Sequence, residues 1–232
     1  MSLIDNSVTR FSGGLTNVDV GNIFNSLRQP DPTLYNFLLD DFAVFTAAQW
    51  STGGVGTPTR AAQAGLGGLV RLGNSAADND NSWMQTANPH FQITAGKKIF
   101  FSARVTPSDA TQSDFVAGLQ IAVASNNFLT PVNGIFFRKS DDAATVEFVS
   151  RAASVETTSG AIATAVDATA LYLQFYYDGQ SDLWAAVNGS VLTRITPAAL
   201  PSVLIGATFG VQNGAAVAKT LDIDQVFVAQ ER

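Results

Sequence analysis

Two turn sequences divide residues 170–195 into three short runs of β-forming residues. Asp178-Gly179 lies in the first turn, and Asn188-Gly189 lies at the tip of the second. Such pairs suit tight hairpin turns, because these turns require positive φ angles that Gly and Asn tolerate. Three consecutive antiparallel strands are therefore predicted. Since an isolated hairpin is only marginally stable, the rest of the chain must supply further strands.

Short apolar runs separated by Gly, Asn, Asp, Ser and Pro continue from Asp40 to the C-terminus. In residues 98–105 the apolar side chains fall at alternate positions, as expected of a strand with one face in a core. The alternation slips near Asp224 and Gln225, which predicts a β-bulge. This spacing of runs is typical of two antiparallel sheets packed as a sandwich or jelly roll. Strands are predicted at about 41–46, 68–72, 98–105, 114–124, 134–139, 144–150, 170–178, 182–188, 190–195, 203–211 and 219–229, with long loops over the rest of 51–80.

Residues 1–39 have a different pattern, so we expect an N-terminal arm followed by a sandwich domain at residues 40–232. Four apolar residues at i, i+3, i+4 and i+7 place one apolar face on a short amphipathic helix, which Pro30 ends. A second apolar cluster covers residues 34–39. Apolar faces on a terminal arm are stabilised by docking, so the arm is expected to bind another subunit. The predicted interface residues are Val20, Ile23, Phe24, Leu27, Tyr35 and Phe37.

Composition limits the class of protein. Apolar residues make up 46% of the 232 residues and charged residues 14%, which favours a compact fold over disorder. The 13 Lys and Arg against 19 Asp and Glu give a net charge of −6, which argues against a nucleic-acid partner. With no cysteine, stability comes from packing and backbone pairing. We expect no signal peptide, no membrane span and assembly in the cytoplasm.

The runs KIFFSARV, SDFVAGLQIAV, GIFFRK, ATVEFVS, LYLQFYYDGQSDLWAAVNGS, ATFGVQNG and AVAKTLDIDQVFVAQ follow one another over about residues 95–230. In this order they resemble concanavalin A-like or laminin-G-like sandwiches, which implies an all-β, antiparallel two-sheet jelly roll. The whole chain, with its opening SGGLTNVDVGNIF, also resembles small virion proteins of tailed phages that decorate or cement the capsid shell. That resemblance implies a non-enzymatic subunit on the capsid surface, made in the host cytoplasm. Its partners would be the major capsid protein and sister copies, in a dimer or trimer.

A carbohydrate-binding module of a phage fibre or spike is the alternative. Sugar binding needs exposed aromatic rings beside polar groups, and the candidates are Trp50, Trp83 and Trp184, with Tyr177 as a further one. For Trp184 there is a competing interpretation, because it lies opposite an aromatic strand where cross-strand packing is common.

The sequence offers little for catalysis. Sandwich hydrolases carry Glu, Asp and Glu at alternate positions of one strand, whereas Glu147 has apolar or hydroxyl neighbours there. His90 is the single histidine, with no nucleophile pattern near it in sequence, and we interpret it as a loop residue. We therefore expect no enzymatic activity.

No cofactor is predicted, with one weak exception for calcium. The sequence Asp78-Asn79-Asp80-Asn81 clusters the oxygen ligands that Ca²⁺ prefers. The segment lacks the spacing of a twelve-residue EF-hand loop, and the same residues also stabilise ordinary solvated turns. Asp78 and Asp80 are the candidate ligands.

Overall fold

A computed structural model describes residues 34–65 and 67–232. The predicted interface residues Val20, Ile23, Phe24 and Leu27, and with them the predicted amphipathic helix, lie outside these ranges. The described strands are β1 (Tyr35–Asp40), β2 (Trp50–Val55), β3 (Thr59–Gln63), β4 (Leu69–Gly73), β5 (Asn81–Thr86), β6 (Ile99–Pro107), β7 (Ser113–Gln120), β8 (Gly134–Lys139), β9 (Thr145–Ala152), β10 (Val155–Thr164), β11 (Leu171–Tyr177), β12 (Leu183–Val187), β13 (Ser190–Ile195), β14 (Gly206–Asn213) and β15 (Thr220–Glu231).

The strands form two sheets, and the strand pairings within each sheet are antiparallel. Sheet A has the order β13-β12-β11-β6-β15-β4-β3, with β1 also paired to β15. Sheet B has the order β10-β9-β8-β7-β14-β5-β2. The helical content of the described residues is one 3-10 turn at Ala47–Gln49. The predicted all-β, two-sheet sandwich is therefore confirmed. Within the described ranges no helix has the length and apolar composition needed to cross a membrane.

The main core lies between the sheets and is rich in phenylalanine. Phe101 and Phe175 of sheet A stack with ring centroids 5.0 Å apart. Phe148 and Phe137 of sheet B approach the Phe175 ring at 5.6 and 6.5 Å. All four side chains are fully buried, and burial of each stabilises the fold by about 1.5–3 kcal/mol. The apolar residues that alternate along the strands in the sequence form this core layer.

The last strand organises sheet A. Thr220–Ile223 pairs with β4, and residues 226–231 of the same strand pair with β1. Its pairing with β6 slips between Ile223 and Gln225, which confirms the predicted bulge. Among the described residues β1 pairs with β15 alone, so its other edge is free.

The predicted strand at 41–46 is wrong, because the chain turns there. The backbone N–H of Phe42 donates to the side chain of Asp40 at 2.8 Å, and that of Ala43 donates to Asp41 at 3.2 Å. Phe42 has a φ angle of 54° and is fully buried, so the chain passes from sheet A toward sheet B. The strand lies instead at 35–40 and crosses the expected boundary between residues 39 and 40.

The expectation of loops over most of residues 51–80 is also wrong. β2 and β3 form there, each as the last strand of its sheet, and each is largely exposed. Edge strands of this kind carry few apolar residues, so periodicity does not mark them. In contrast, the predicted hairpins are confirmed at β11–β12 and β12–β13. Asn188 and Gly189 both have positive φ, as a two-residue turn of this type requires.

Candidate functional site at the free edge of strand β1

A pocket of about 490 Å³ lies beside the free edge of β1. This volume is in the range of small-ligand sites, about 300–1,000 Å³. The wall on one side comes from β1 and the opposite wall from the 3-10 turn, the start of β2 and the end of β5. The residues that line the pocket include Phe37, Leu39, Gln49, Trp50, Thr86 and His90.

Strand pairing brings these residues together from distant parts of the chain. Trp50 and Thr86 are direct partners across the β2–β5 pair. The amide of Asn36 on β1 donates to the carbonyl of His90 at 2.8 Å and so ties β1 to the opposite wall. His90 is exposed at the rim, with its ring 4.2 Å from that of Phe91. The pocket is therefore a product of the tertiary fold.

Two polar groups of the wall are buried without a hydrogen bond of ordinary geometry. The indole N–H of Trp50 and the hydroxyl of Thr86 make no hydrogen bond in the described part of the chain, and these residues are 4% and 5% exposed. An unsatisfied buried group of this kind costs about 1–3 kcal/mol. Phe37, which is 42% exposed, adds an accessible aromatic ring at the edge of the same pocket.

Asp40 lies at the end of β1 next to this wall. Burial raises the pKa of its carboxyl above the usual value, although the N–H of Phe42 and the nearby indole of Trp50 act in the opposite direction. The indole makes no hydrogen bond of ordinary geometry with it. The indole N–H of Trp50 thus has a polar neighbour in Asp40, and the hydroxyl of Thr86 remains as the buried wall group without a hydrogen-bond partner among the described residues.

Phe37 also begins a cross-strand row on the outer face of sheet A, which we call the aromatic row. The row consists of Phe37, Ala229, Phe100, Tyr176 and Trp184, each the direct partner of the next on five neighbouring strands. Phe100 is buried beneath Tyr176, Trp184 and Phe227, which are themselves half-buried. The guanidinium of Arg194 lies 5.5 Å from the Trp184 ring centroid. The described residues of this face thus form a small apolar cluster.

The three candidate tryptophans do not form one site. Trp50 packs in the main core against Phe42 and Phe209, at centroid distances of 5.7 and 6.3 Å. Trp83 lies on the outer face of sheet B, and Trp184 lies on the outer face of sheet A. Tyr177 is buried, and its hydroxyl donates to the carbonyl of Gln180. Trp184 is the cross-strand partner of Tyr176, and both pack beside Phe100.

The loop at residues 121–133 covers the outer face of sheet B around Trp83. Phe128 of this loop is fully buried, and the indole N–H of Trp83 donates to the side chain of Asn126 at 2.8 Å. Gln85 holds the base of the loop through hydrogen bonds that include one from the N–H of Val123 at 3.0 Å. Trp83 is only 8% exposed, so its ring is not open to a sugar.

The acidic residues on β9 and β10 form an ion-pair network. Arg138 contacts Glu147 at 2.7 Å and Glu156 at 2.8 Å, and Arg151 contacts Glu156 at 2.8 Å. The hydrogen bond from Arg138 lowers the pKa of Glu156, against a raising effect of burial. A glycosidase acid needs a carboxyl whose pKa is raised. The network therefore favours the ionised form of Glu156 over a proton donor.

The two candidate calcium ligands have different surroundings. Asp80 is buried and accepts a hydrogen bond from the hydroxyl of Ser75, whereas Asp78 is exposed. Asn213 braces the same turn through the carbonyls of Ser75 and Ala77, at 2.7 Å each. Over residues 34–65 and 67–232 there is no group of three or more acidic or histidine residues that could hold a metal.

Of the predicted interface residues, Tyr35 and Phe37 lie within the described part. Both are on the outer side of β1, where Tyr35 is half-buried and Phe37 exposed. The sequence reasoning missed Thr86, Asn36 and Gln49. No local signal marks them, since their role depends on which strand ends meet.

No family model matches the sequence, and no curated protein matches it. Solved structures do match in fold. Peanut lectin is 13% identical with a TM-score of 0.60, covering 84% of this chain and 97% of the lectin. An endo-1,3-beta-glucanase from Streptomyces sioyaensis is 12% identical with a TM-score of 0.60, covering 88% and 99%. A carbohydrate esterase from the Shiga toxin-encoding bacteriophage phi24B is 17% identical with a TM-score of 0.50, covering 79% and 90%. The chain is therefore a concanavalin A-like sandwich, while its resemblance to phage decoration proteins finds no counterpart among these matches.

Proposed function

We propose that this chain is a carbohydrate-recognition domain that binds a glycan in the β1 pocket. The observation that carries the proposal is the buried hydroxyl of Thr86 in the pocket wall, which has no hydrogen-bond partner among the described residues and lies in the same pocket as the exposed ring of Phe37. The names of the similar structures, a lectin, a glucanase and a carbohydrate esterase, support the same ligand class.

A sugar ring fits this combination of groups. Its C–H face is apolar and stacks on an aromatic ring, while its hydroxyls both donate and accept hydrogen bonds. In the pocket, Phe37 offers the ring and Thr86 offers a hydroxyl that can serve in either direction. We propose binding without bond cleavage.

Thr86→Val gives the sharpest test, because the two side chains have nearly the same shape. The change removes a buried hydroxyl that has no partner in the described part of the protein, so the melting temperature should stay constant or rise. Glycan affinity should fall about fivefold, the equivalent of one hydrogen bond of about 1 kcal/mol. Phe37→Ser should also weaken binding. Val155→Ser is the matched surface control, since Val155 is 68% exposed on β10 at the far edge of sheet B.

The measurement is a glycan array followed by titration calorimetry with laminarin, a soluble β-1,3-glucan. Binding that Thr86→Val and Phe37→Ser weaken, and that Val155→Ser leaves unchanged, supports the proposal. Failure of the array and of laminarin to show any binding contradicts it. A Thr86→Val variant with unchanged glycan affinity would show that the glycan does not bind to Thr86 in the β1 pocket.

The second candidate is a structural subunit of a virion, a capsid decoration protein bound to the major capsid protein and to sister copies. The observation in its favour is the apolar surface of β1, where Leu34, Phe37 and Leu39 are 61%, 42% and 61% exposed. Light scattering and co-sedimentation with capsid shells test this role. A double variant Phe37→Ser, Leu39→Ser that still assembles and still binds shells would count against it.

A further inference from the structure

Strand β1 presents an edge that is ready to pair. Its ladder with β15 runs over Tyr35–Asp40 without a register shift. The backbone N–H of Arg232 donates to the carbonyl of Leu34 at 2.9 Å, so that carbonyl points toward β15. Because opposite directions alternate along an antiparallel strand, the N–H and C=O groups of Phe37 and Leu39 point to the free edge. Among the described residues no strand pairs with these groups.

The other edges of the two sheets carry protection that β1 lacks. The pairing of β10 with β9 shifts register twice, and the pairing of β13 with β12 shifts once. On the opposite side of the sandwich, Arg60 of β3 donates to the carbonyl of Gly53 on β2 and joins these two edges. Bulges and charged side chains are common means of keeping edge strands from pairing. The sequence of β1, YNFLLD, has no charged residue, Pro or Gly before Asp40, and its Phe37 and Leu39 are 42% and 61% exposed.

The two ends of β1 carry opposite charge. Asp40 and Asp41 lie at its C-terminal end. The charged side chains at the other end, which are net positive, are those of Lys97, Lys98, Glu231 and Arg232. The exposed guanidinium of Arg232 donates to the carbonyl of Tyr35 at 3.1 Å and so reaches the free edge. A strand with such ends is complementary to an antiparallel copy of itself, because each negative end then meets a positive one.

We infer that β1 pairs with β1 of a second copy of this chain across a two-fold axis, which joins the two copies of sheet A into one sheet. Pairing centred on Phe37 places Phe37 opposite Phe37 of the second copy, and Tyr35 opposite Leu39. The backbone groups at these positions point to the free edge in both copies, so they satisfy each other. The contact is the same for both copies, as a closed dimer requires. It also brings Asp41 of each copy next to Arg232 of the other.

This inference does not depend on the proposed function, since it is carried by the backbone and the end charges of β1. Phe37 belongs to both surfaces, because it also lines the β1 pocket. Pairing of two copies and glycan binding in the pocket therefore exclude each other. The experiments below need no glycan, so failure of the pairing and failure of glycan binding are seen separately.

Exchange of the end charges is the first test. Asp41→Lys and Arg232→Glu each turn two attractive contacts of the dimer into repulsive ones, so each should raise the dimer dissociation constant about fivefold. The double variant restores the attraction and should return to within about twofold of the wild-type constant. Within one chain the two side chains lie about 20 Å apart along β1, beyond the Debye length of about 10 Å in 0.1 M salt. Rescue in 0.1 M salt therefore reports a contact between copies.

Sedimentation velocity over a range of protein concentrations measures the dissociation constant of each variant. Asp78→Lys is the matched control, because Asp78 is exposed and lies far from β1 in the fold, and it should leave the constant unchanged. A wild-type chain that stays monomeric up to about 100 μM overturns the inference. A dimer that neither charge reversal weakens, or that the double variant does not restore, also overturns it.

Hydrogen exchange of single backbone amides is the second test, and it needs only the wild-type chain. The amides of Phe37 and Leu39 should exchange slowly at concentrations where the dimer forms and rapidly in the dilute monomer. The amide of Leu38 points toward β15, so it is the internal control and should exchange slowly in both. Slow exchange of Phe37 and Leu39 in the monomer overturns the inference, because another segment of the same chain would then cover the edge. Rapid exchange of both in the dimer places the contact elsewhere and overturns it as well.

Discussion

Replacing Gly210 by alanine tests whether the loop at residues 121–133 is packed tightly on sheet B. Gly210 lies on the outer face of β14, opposite Trp83 on β5. A Cβ atom at this position would lie 2.4 Å from Cδ2 and 2.6 Å from Cε2 of Phe128. Both distances are far below van der Waals contact, so the ring or the loop must move. Overpacking of this kind costs about 1–3 kcal/mol.

The cost should depend on Phe128. Phe128→Ala alone opens a cavity under the loop and should destabilise the chain by about 3–5 kcal/mol. In the Phe128→Ala background the methyl group that Gly210→Ala adds meets no ring and fills part of that cavity. The double variant should therefore be more stable than the sum of the two single effects predicts, with a coupling of about 0.5–3 kcal/mol.

Urea unfolding, followed by tryptophan fluorescence, measures all four proteins of this cycle. Trp83 is a useful reporter, because its N–H donates to Asn126 in the loop. Additive effects of the two substitutions would refute the contact between Gly210 and Phe128. A Gly210→Ala variant as stable as the wild-type chain would show that the loop does not seal this face, and the outer face of sheet B would become a candidate site.

Three further changes test other parts of the structure. Asp109→Asn should remove a pH-dependent component of stability. Burial alone would raise the pKa of Asp109, but hydrogen bonds from Lys219 and from backbone N–H groups lower it to about 2, so the stabilisation in the wild-type chain is complete above the ordinary value of 3.8 and is lost as pH falls toward 2. Urea unfolding from pH 5 to pH 2 checks this, and a pH-independent difference between the two proteins would contradict it. Lys139→Met should destabilise the fold by about 1–3 kcal/mol in the same assay, because the buried ammonium donates to the carbonyls of Thr111 and Ser113, which would lose that donor. A neutral effect would argue against those contacts. Gly189→Ala should lower the free energy of unfolding by about 1–3 kcal/mol through the strain of a φ angle of 84°, because a Cβ atom there would meet nothing within 4 Å. An unchanged melting temperature would contradict this turn geometry.

The sequence predicted those parts of the fold that depend on local rules. The turn at Asn188-Gly189 and the alternation in residues 98–105 each reflect backbone preference or a two-residue period, and both were confirmed. The bulge after Ile223 was visible as a slip in the same period. β2 and β3 were missed because edge strands carry little apolar pattern, and β1 was displaced because its apolar cluster was assigned to the arm.

The candidate site depends on tertiary structure. Phe37, Trp50 and Thr86 are far apart in sequence, and they line one pocket only because β1 pairs with β15 while β2 pairs with β5. Local periodicity tells which face a side chain occupies. Which side chains meet on that face is decided by the strand order and register, because each partner comes from a distant segment.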